Sequence, residues 1–215
     1  IDSNVVNPTS RSVRNLGFLM APNMSLSAHI SALCGTCFAQ LRSISRIKNF
    51  MGKKTLEIVI HTFISNKMDY CNGLLLGAPA TEVKRLQKVQ NAAARILTNT
   101  AKREHITPVL FDLHWLPVEQ RVKFKTLLNV HKAIHGTAPA YLDLFSKCSS
   151  ADINLRSCDN FTLNVPFTCS SLVLNRAFSV SGAKLWNSLP STLRSLNDTQ
   201  LFKRQLKTFL FSDYF

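Results

Sequence analysis

Thr81-Glu82-Val83-Lys84-Arg85-Leu86-Gln87-Lys88-Val89-Gln90-Asn91-Ala92-Ala93-Ala94-Arg95-Ile96-Leu97 decides the fold class. Its apolar members, Val83, Leu86, Val89, Ala93, Ile96 and Leu97, recur at spacings of three and four. At about 100° per residue they fall within one arc, and Lys84, Lys88, Asn91 and Arg95 fall within the opposite one. The stretch predicts an amphipathic helix after Thr81, with one side for a core and the other carrying cations.

The same periodicity continues on both sides. Upstream, Ser25 precedes Leu26, Ile30, Leu33, Cys37, Leu41, Ile44 and Ile47, which predicts a capped helix ending near Gly52. A second helix is predicted from Thr55 to Met68, with Leu56, Val59, Ile60, Phe63 and Ile64 facing inward. Ahead of these, Val13 and Asn15–Met20 read as a strand or half of a hairpin, closed by the breaker Pro22-Asn23. Downstream, Pro108 and Pro117 suit first helical turns, and Thr107 suits the cap before Pro108. The helix from Pro117 stops at Gly136, and a short one follows over Pro139–Phe145. Over 146–175 helical periodicity is lost, and the alternation of Phe161, Leu163, Val165 and Phe167 reads as a strand or hairpin. Helices return over about 177–188 and 199–210, the last capped by Asp198 with Leu201, Phe202, Leu206, Phe209 and Leu210 as its apolar face. The expected fold is therefore mainly α: a helical bundle after a short β hairpin, a less regular and β-containing segment near 146–175, and C-terminal helices.

With 215 residues, 46% of them apolar, the chain can bury a sizeable core. Lys and Arg number 26 against 12 Asp and Glu, a net charge of +14. Such an excess points to a polyanionic partner, nucleic acid or an acidic membrane surface. No apolar run approaches the roughly 18–20 residues of a membrane span, so no membrane partner is expected. Ile1-Asp2-Ser3-Asn4 does not read as a secretory leader, and a chain opening on Ile reads as a fragment or a processed product. An intracellular location, nucleus or cytoplasm, is expected. The six irregularly spread Cys then favour reduced thiols over a disulfide framework.

Enzymatic patterns are scarce. Cys34-Gly35-Thr36-Cys37 has the spacing of a zinc or redox pair, but no second pair completes four zinc ligands, and Cys37 lies on an apolar stripe. No His is followed two residues later by an acid, as a facial iron site needs. The acids are isolated singles such as Asp69, Glu82, Glu104, Asp112 and Glu119, with none of the clustering that holds Mg²⁺ for phosphoryl transfer. Gly-x-Ser-x-Gly and the phosphate-binding Gly-x4-Gly-Lys-Ser/Thr are both missing. No catalytic residue, metal ligand or cofactor is expected. Trp115 and Trp186 are read as core side chains rather than base-stacking platforms.

The basic positions carry the functional reading. Arg46 and Lys48 end the first long helix; Lys84, Lys88 and Arg95 form one face of the third, with Lys102 and Arg103 just beyond; Arg121, Lys125 and Lys132 form a face of the 117–135 helix. A row of cations on a rigid helix can neutralise several phosphates together. These ten residues are the candidate nucleic-acid contacts.

Several stretches also resemble LINE-type non-LTR retrotransposon reverse transcriptases. They are Arg14-Asn15-Leu16-Gly17, Leu26-Ser27-Ala28-His29-Ile30, Leu41-Arg42-Ser43-Ile44, Phe63-Ile64-Ser65 with Met68-Asp69-Tyr70-Cys71-Asn72, and Leu86–Arg95. Further along come Arg103–Leu110, Leu113-His114-Trp115-Leu116-Pro117, His131–Gly136, Arg176-Ala177-Phe178-Ser179 and Leu185-Trp186-Asn187-Ser188-Leu189-Pro190. The likeness covers nearly the whole chain, in one order. It implies the C-terminal part of such a polyprotein: residues 1–24 as the end of the palm near the primer-gripping hairpin, 25–100 as the helical thumb, and 101–215 as a C-terminal extension. It places the catalytic Asp-Asp signature upstream of this chain, and it implies RNA, DNA or an RNA–DNA duplex and the palm of the parent RNA-directed DNA polymerase as partners. The sequence departs from the family at Ala21, where relatives usually carry an acid, and at Phe18, where they carry a small aliphatic. The competing expectation is a helical protein-interaction module, or an inert relic of a retroelement without activity of its own.

Overall fold

The computed structural model describes residues 12–146, 161–167 and 176–215. The described residues are mainly helical, with one short antiparallel hairpin. The chain divides into two compact units, Ile1–Cys71 with Ala78–Val109, and Asn72–Gly77 with Leu110–Phe215. The polypeptide thus passes from one unit to the other three times.

Unit 1 opens with strands β1 (Val13–Asn15) and β2 (Phe18–Met20), paired in the register Val13↔Met20, Arg14↔Leu19 and Asn15↔Phe18. Leu16 and Gly17 form the two-residue turn with φ of 47° and 84°. Two successive positive φ values are what a tight hairpin with right-handed twist requires, and leucine adopts one of them under strain. The turn is held from outside, because the Tyr70 hydroxyl donates to the Leu16 carbonyl. Phe18 is buried and stacks on the His29 ring at 3.9 Å between centroids, and His29 Nδ1 accepts from the Leu19 N–H at 3.3 Å. Burial holds the His29 pKa below its ordinary value.

Helix α1 (Ser27–Ile47) buries Ile30, Cys34, Cys37, Leu41 and Ile44. Cys34 occupies the core position expected for Leu33, and Ile47 is 50% exposed, because the stripe drifts off the core by the last turn. Both thiols belong to the core; burial pushes the Cys34 pKa up and that of Cys37 up to about 11. Helix α2 (Lys53–Ile60) continues through a π turn at His61–Ser65 into α3 (Asn66–Asp69). This is the predicted second helix with an altered pitch. The wider i→i+5 turn keeps Ile60, Ile64 and Met68 on the core side and leaves Phe63, expected inward, 47% exposed. Helix α4 (Ala80–Thr98) packs on α1 and buries Leu86, Val89, Gln90, Ala93, Ala94 and Leu97. The small Ala93 and Ala94 let the two helices approach closely. The helix ends at Asn99, which takes a left-handed conformation (φ 55°).

Helix α5 (Thr107–Asp112) spans the junction of the units. Unit 2 is built on α6 (Val118–Ile134), against which α7 (Phe178–Asn187) and α9 (Thr199–Tyr214) pack; α8 is Ser191–Arg194. Leu127, Val130, Ala183, Trp186, Phe202, Leu206 and Leu210 form its centre. Gly182 lets α7 come close to α6, since a Cβ there would lie 3.0 Å from Val130 and 3.1 Å from Phe145. His131 is fully buried on α6, stacked on His135 and Phe202, with Nε2 at 2.8 Å from the Leu196 carbonyl. Its Nδ1 is buried without a partner, so the proton sits on Nε2 and the ring is neutral. Burial, reinforced by the neighbouring His135, lowers its pKa against the opposing Leu196 bond and Asp198 charge.

One local expectation is corrected. The helix expected over Pro139–Phe145 is only a 3-10 turn at Ala140–Leu142, too short to present a stripe. Over 161–167 the described residues keep a trace of the expected β structure: Leu163 forms a β bridge, and the Asn164 N–H donates to the Ser146 carbonyl at 2.9 Å. Leu163 is buried, whereas Phe161, Val165 and Phe167 are exposed. The backbone groups of Leu163 itself pair with one side chain. Asn187 Oδ1 accepts its N–H at 2.9 Å and Asn187 Nδ2 donates to its carbonyl at 2.8 Å. The rest of the predicted strand region, 147–160 and 168–175, lies outside the described residues. Both tryptophans are core side chains, and Trp186 Nε1 donates to the Phe161 carbonyl at 2.8 Å.

Candidate nucleic-acid interface

In unit 1 the cations of α4 divide by what they bond. The helix holds one acid, Glu82, and that carboxylate pairs with Arg85 at 3.0 Å. Arg85 also donates to Ser31 Oγ at 2.7 Å, tying α4 to α1. Lys84 and Lys88 are exposed, one turn apart, and no acid among the described residues pairs with them. Arg95, predicted on the same row, is engaged elsewhere. Its guanidinium donates to the carbonyls of Ala101 (3.3 Å), Lys102 (3.4 Å) and Glu104 (2.7 Å), folding the following loop back on the helix end. That engagement follows from reach: a long guanidinium in the last turn meets the free carbonyls of the chain that leaves it.

Lys48 is likewise committed, its Nζ donating to Asn99 Oδ1 at 2.6 Å beside a hollow of about 280 Å³ that Lys53 also lines. Arg46, Lys102 and Arg103 are exposed. The predicted trio on α6 is set differently. Arg121, Lys125 and Lys132 are half-buried, because α6 is the central helix of unit 2 and has little solvated face to offer. Arg121 and Lys125 engage other groups.

One cationic cluster lies outside the sequence prediction. Lys203, Arg204 and Lys207 are exposed on α9 and line a groove of about 550 Å³ together with Phe124 of α6 and Leu201. The signal was present in the sequence, since no acid occurs between Asp198 and Asp213.

Among the described residues no three of His, Cys, Asp and Glu converge as a metal-binding group, and no helix is long and apolar enough to cross a membrane. None of the protein families, curated proteins or solved structures compared with this chain matches it.

Proposed function

We propose that this chain is a non-catalytic, nucleic-acid-binding segment of a LINE-type reverse transcriptase, which holds a template–primer through phosphates. The observation that carries the reading is the pair Lys84 and Lys88: the only acid of their helix is bound to Arg85, so both charges face solvent uncompensated. Two such ammonium groups on consecutive turns, about 6 Å apart, can meet neighbouring phosphates without reading bases. Arg46, Lys102 and Arg103 add exposed positive charge to the same unit. The hairpin exposes Val13 (50%) and Leu16 (85%), which suits packing against the rest of the parent polymerase's palm.

Titration of the full chain with a labelled RNA–DNA hybrid across salt tests the reading. Lys84→Glu with Lys88→Glu should weaken binding equally for unrelated sequences and reduce the log–log salt slope by about 2, near 0.9 per phosphate. Affinity independent of ionic strength, or unchanged by the double charge reversal, overturns it.

A second reading is a helical protein-interaction module, and Phe50 (89% exposed) with Ile58 (58%) favours it. Under that reading the purified chain carries no nucleic acid, and Phe50→Ser abolishes its association with a protein partner.

A further inference from the structure

The groove between α6 and α9 in unit 2 combines two kinds of chemistry. One wall carries Lys203, Arg204 and Lys207, all exposed and none paired with an acid among the described residues. The same helix adds Gln200 and Leu201, and α6 contributes one apolar ring, Phe124, partly buried against the core. The single carboxylate in the lining, Asp198, is already engaged, accepting from the N–H groups of Gln200 (2.9 Å) and Leu201 (3.3 Å) at the start of α9. Its charge sits at the N-terminal end of the groove, where the start of α9 offsets part of it, and leaves three cations against one carboxylate in the lining.

The cations are strung along the helix, not gathered to a point. Lys203 to Lys207 spans about 6 Å of rise, too long a row for one small anion and suited to successive phosphates of a chain. A duplex presents mainly its phosphodiester exterior to such a surface and leaves the Phe124 ring uncovered. An unpaired strand offers both phosphates and an open base face for Phe124. A lipid headgroup layer would require apolar side chains projecting from a convex face, whereas here Phe124 and Leu201 line a concavity. We propose that this groove binds a single-stranded nucleic acid, with Lys203, Arg204 and Lys207 on the backbone and Phe124 against a base. The site is separate from Lys84 and Lys88 and stands whether or not those residues hold a duplex.

Fluorescence anisotropy of the full chain with a labelled oligothymidine of about 15 nucleotides, between about 50 and 200 mM salt, tests it. The Lys203→Gln, Arg204→Gln, Lys207→Gln triple variant changes only exposed positions. It should lose about tenfold or more in affinity and about 2 in the log–log salt slope, near 0.7 per phosphate on a single strand. Phe124→Leu retains an apolar side chain at the core edge and should lose about tenfold with the slope unchanged. Both variants should bind a hybrid duplex as the parent does. A parent chain that binds the strand but no hybrid supports the groove and overturns the α4 reading. Strand affinity unchanged in the triple variant overturns the proposal. So does a parent chain that ignores the oligonucleotide and binds phosphatidylserine vesicles instead.

Discussion

His131 illustrates how a single side chain sets a condition on the fold. Its Nε2–H is held by the Leu196 carbonyl and its Nδ1 has no partner, so the folded ring resists a second proton. The folded pKa is lowered, while the unfolded chain takes up a proton near pH 6.5. Between those values the unfolded state binds more protons, and stability rises with pH. Acidification from pH 8 through 6.5 should therefore destabilise unit 2, and the loss should level off once the folded ring also protonates. Both tryptophans lie in unit 2, so urea unfolding followed by their fluorescence reads this unit without His29. His131→Phe, which keeps the stack on Phe202, should lower stability at pH 8 yet flatten the slope below pH 7. A slope that persists in the variant assigns the effect to another group. Arg95 teaches the complementary lesson. Helical spacing placed it with Lys84 and Lys88, and no pattern in the sequence shows that three carbonyls past the helix end would claim its guanidinium.

At the scale of elements, the long amphipathic segments were legible because their stripes persist over several turns. α1, α4, α6 and α9 lie close to their predicted bounds, and the start of α9 shows why. Asp198 stands at the cap and its carboxylate receives two backbone N–H groups, as the residue type predicts. Asp198→Ala should cost about 1 kcal/mol of unit 2 stability and Asp198→Asn much less, measured as the shift in fluorescence-monitored urea unfolding. Where the sequence misled, the missing information was tertiary. The alternation at 161–167 does yield a β bridge at Leu163, but nothing in it shows that an asparagine 24 residues later takes that residue's N–H and carbonyl. The π turn at His61–Ser65 is equally invisible, since apolar residues at 60, 64 and 68 fit an ordinary helix within its tolerance. Of the candidate site, Lys84 and Lys88 were legible as an exposed row. The α9 cluster is written in the same way, as an acid-free polar face opposite the apolar stripe of Leu201, Phe202, Leu206, Phe209 and Leu210.

On the scale of the whole molecule, many stretches that carry the resemblance to reverse transcriptases serve architecture here. Tyr70 of Met68–Asn72 grips Leu16 of Arg14–Gly17, and Arg176 donates to the Leu74 carbonyl at 3.2 Å while packing on Gly77. The segment Asn72–Gly77 is the clearest case, because it belongs to unit 2 although unit 1 surrounds it in sequence. Its Leu75 is 5% exposed and the 3-10 turn Asn72–Leu75 packs on α6. Leu75→Ala should therefore lower the stability reported by tryptophan fluorescence by about 2–4 kcal/mol and leave hydrogen exchange of α1 and α4 unchanged. Faster exchange in α1 instead would place the segment in the other unit. The interleaving also has a bearing on biosynthesis. A ribosome delivers Asn72–Gly77 before the helix that covers it, and at roughly 5–20 residues per second α6 is complete only roughly 3–11 s later. For that interval the nascent polypeptide carries a bare leucine tract that chaperones can engage, and a translational pause between the two would lengthen its exposure.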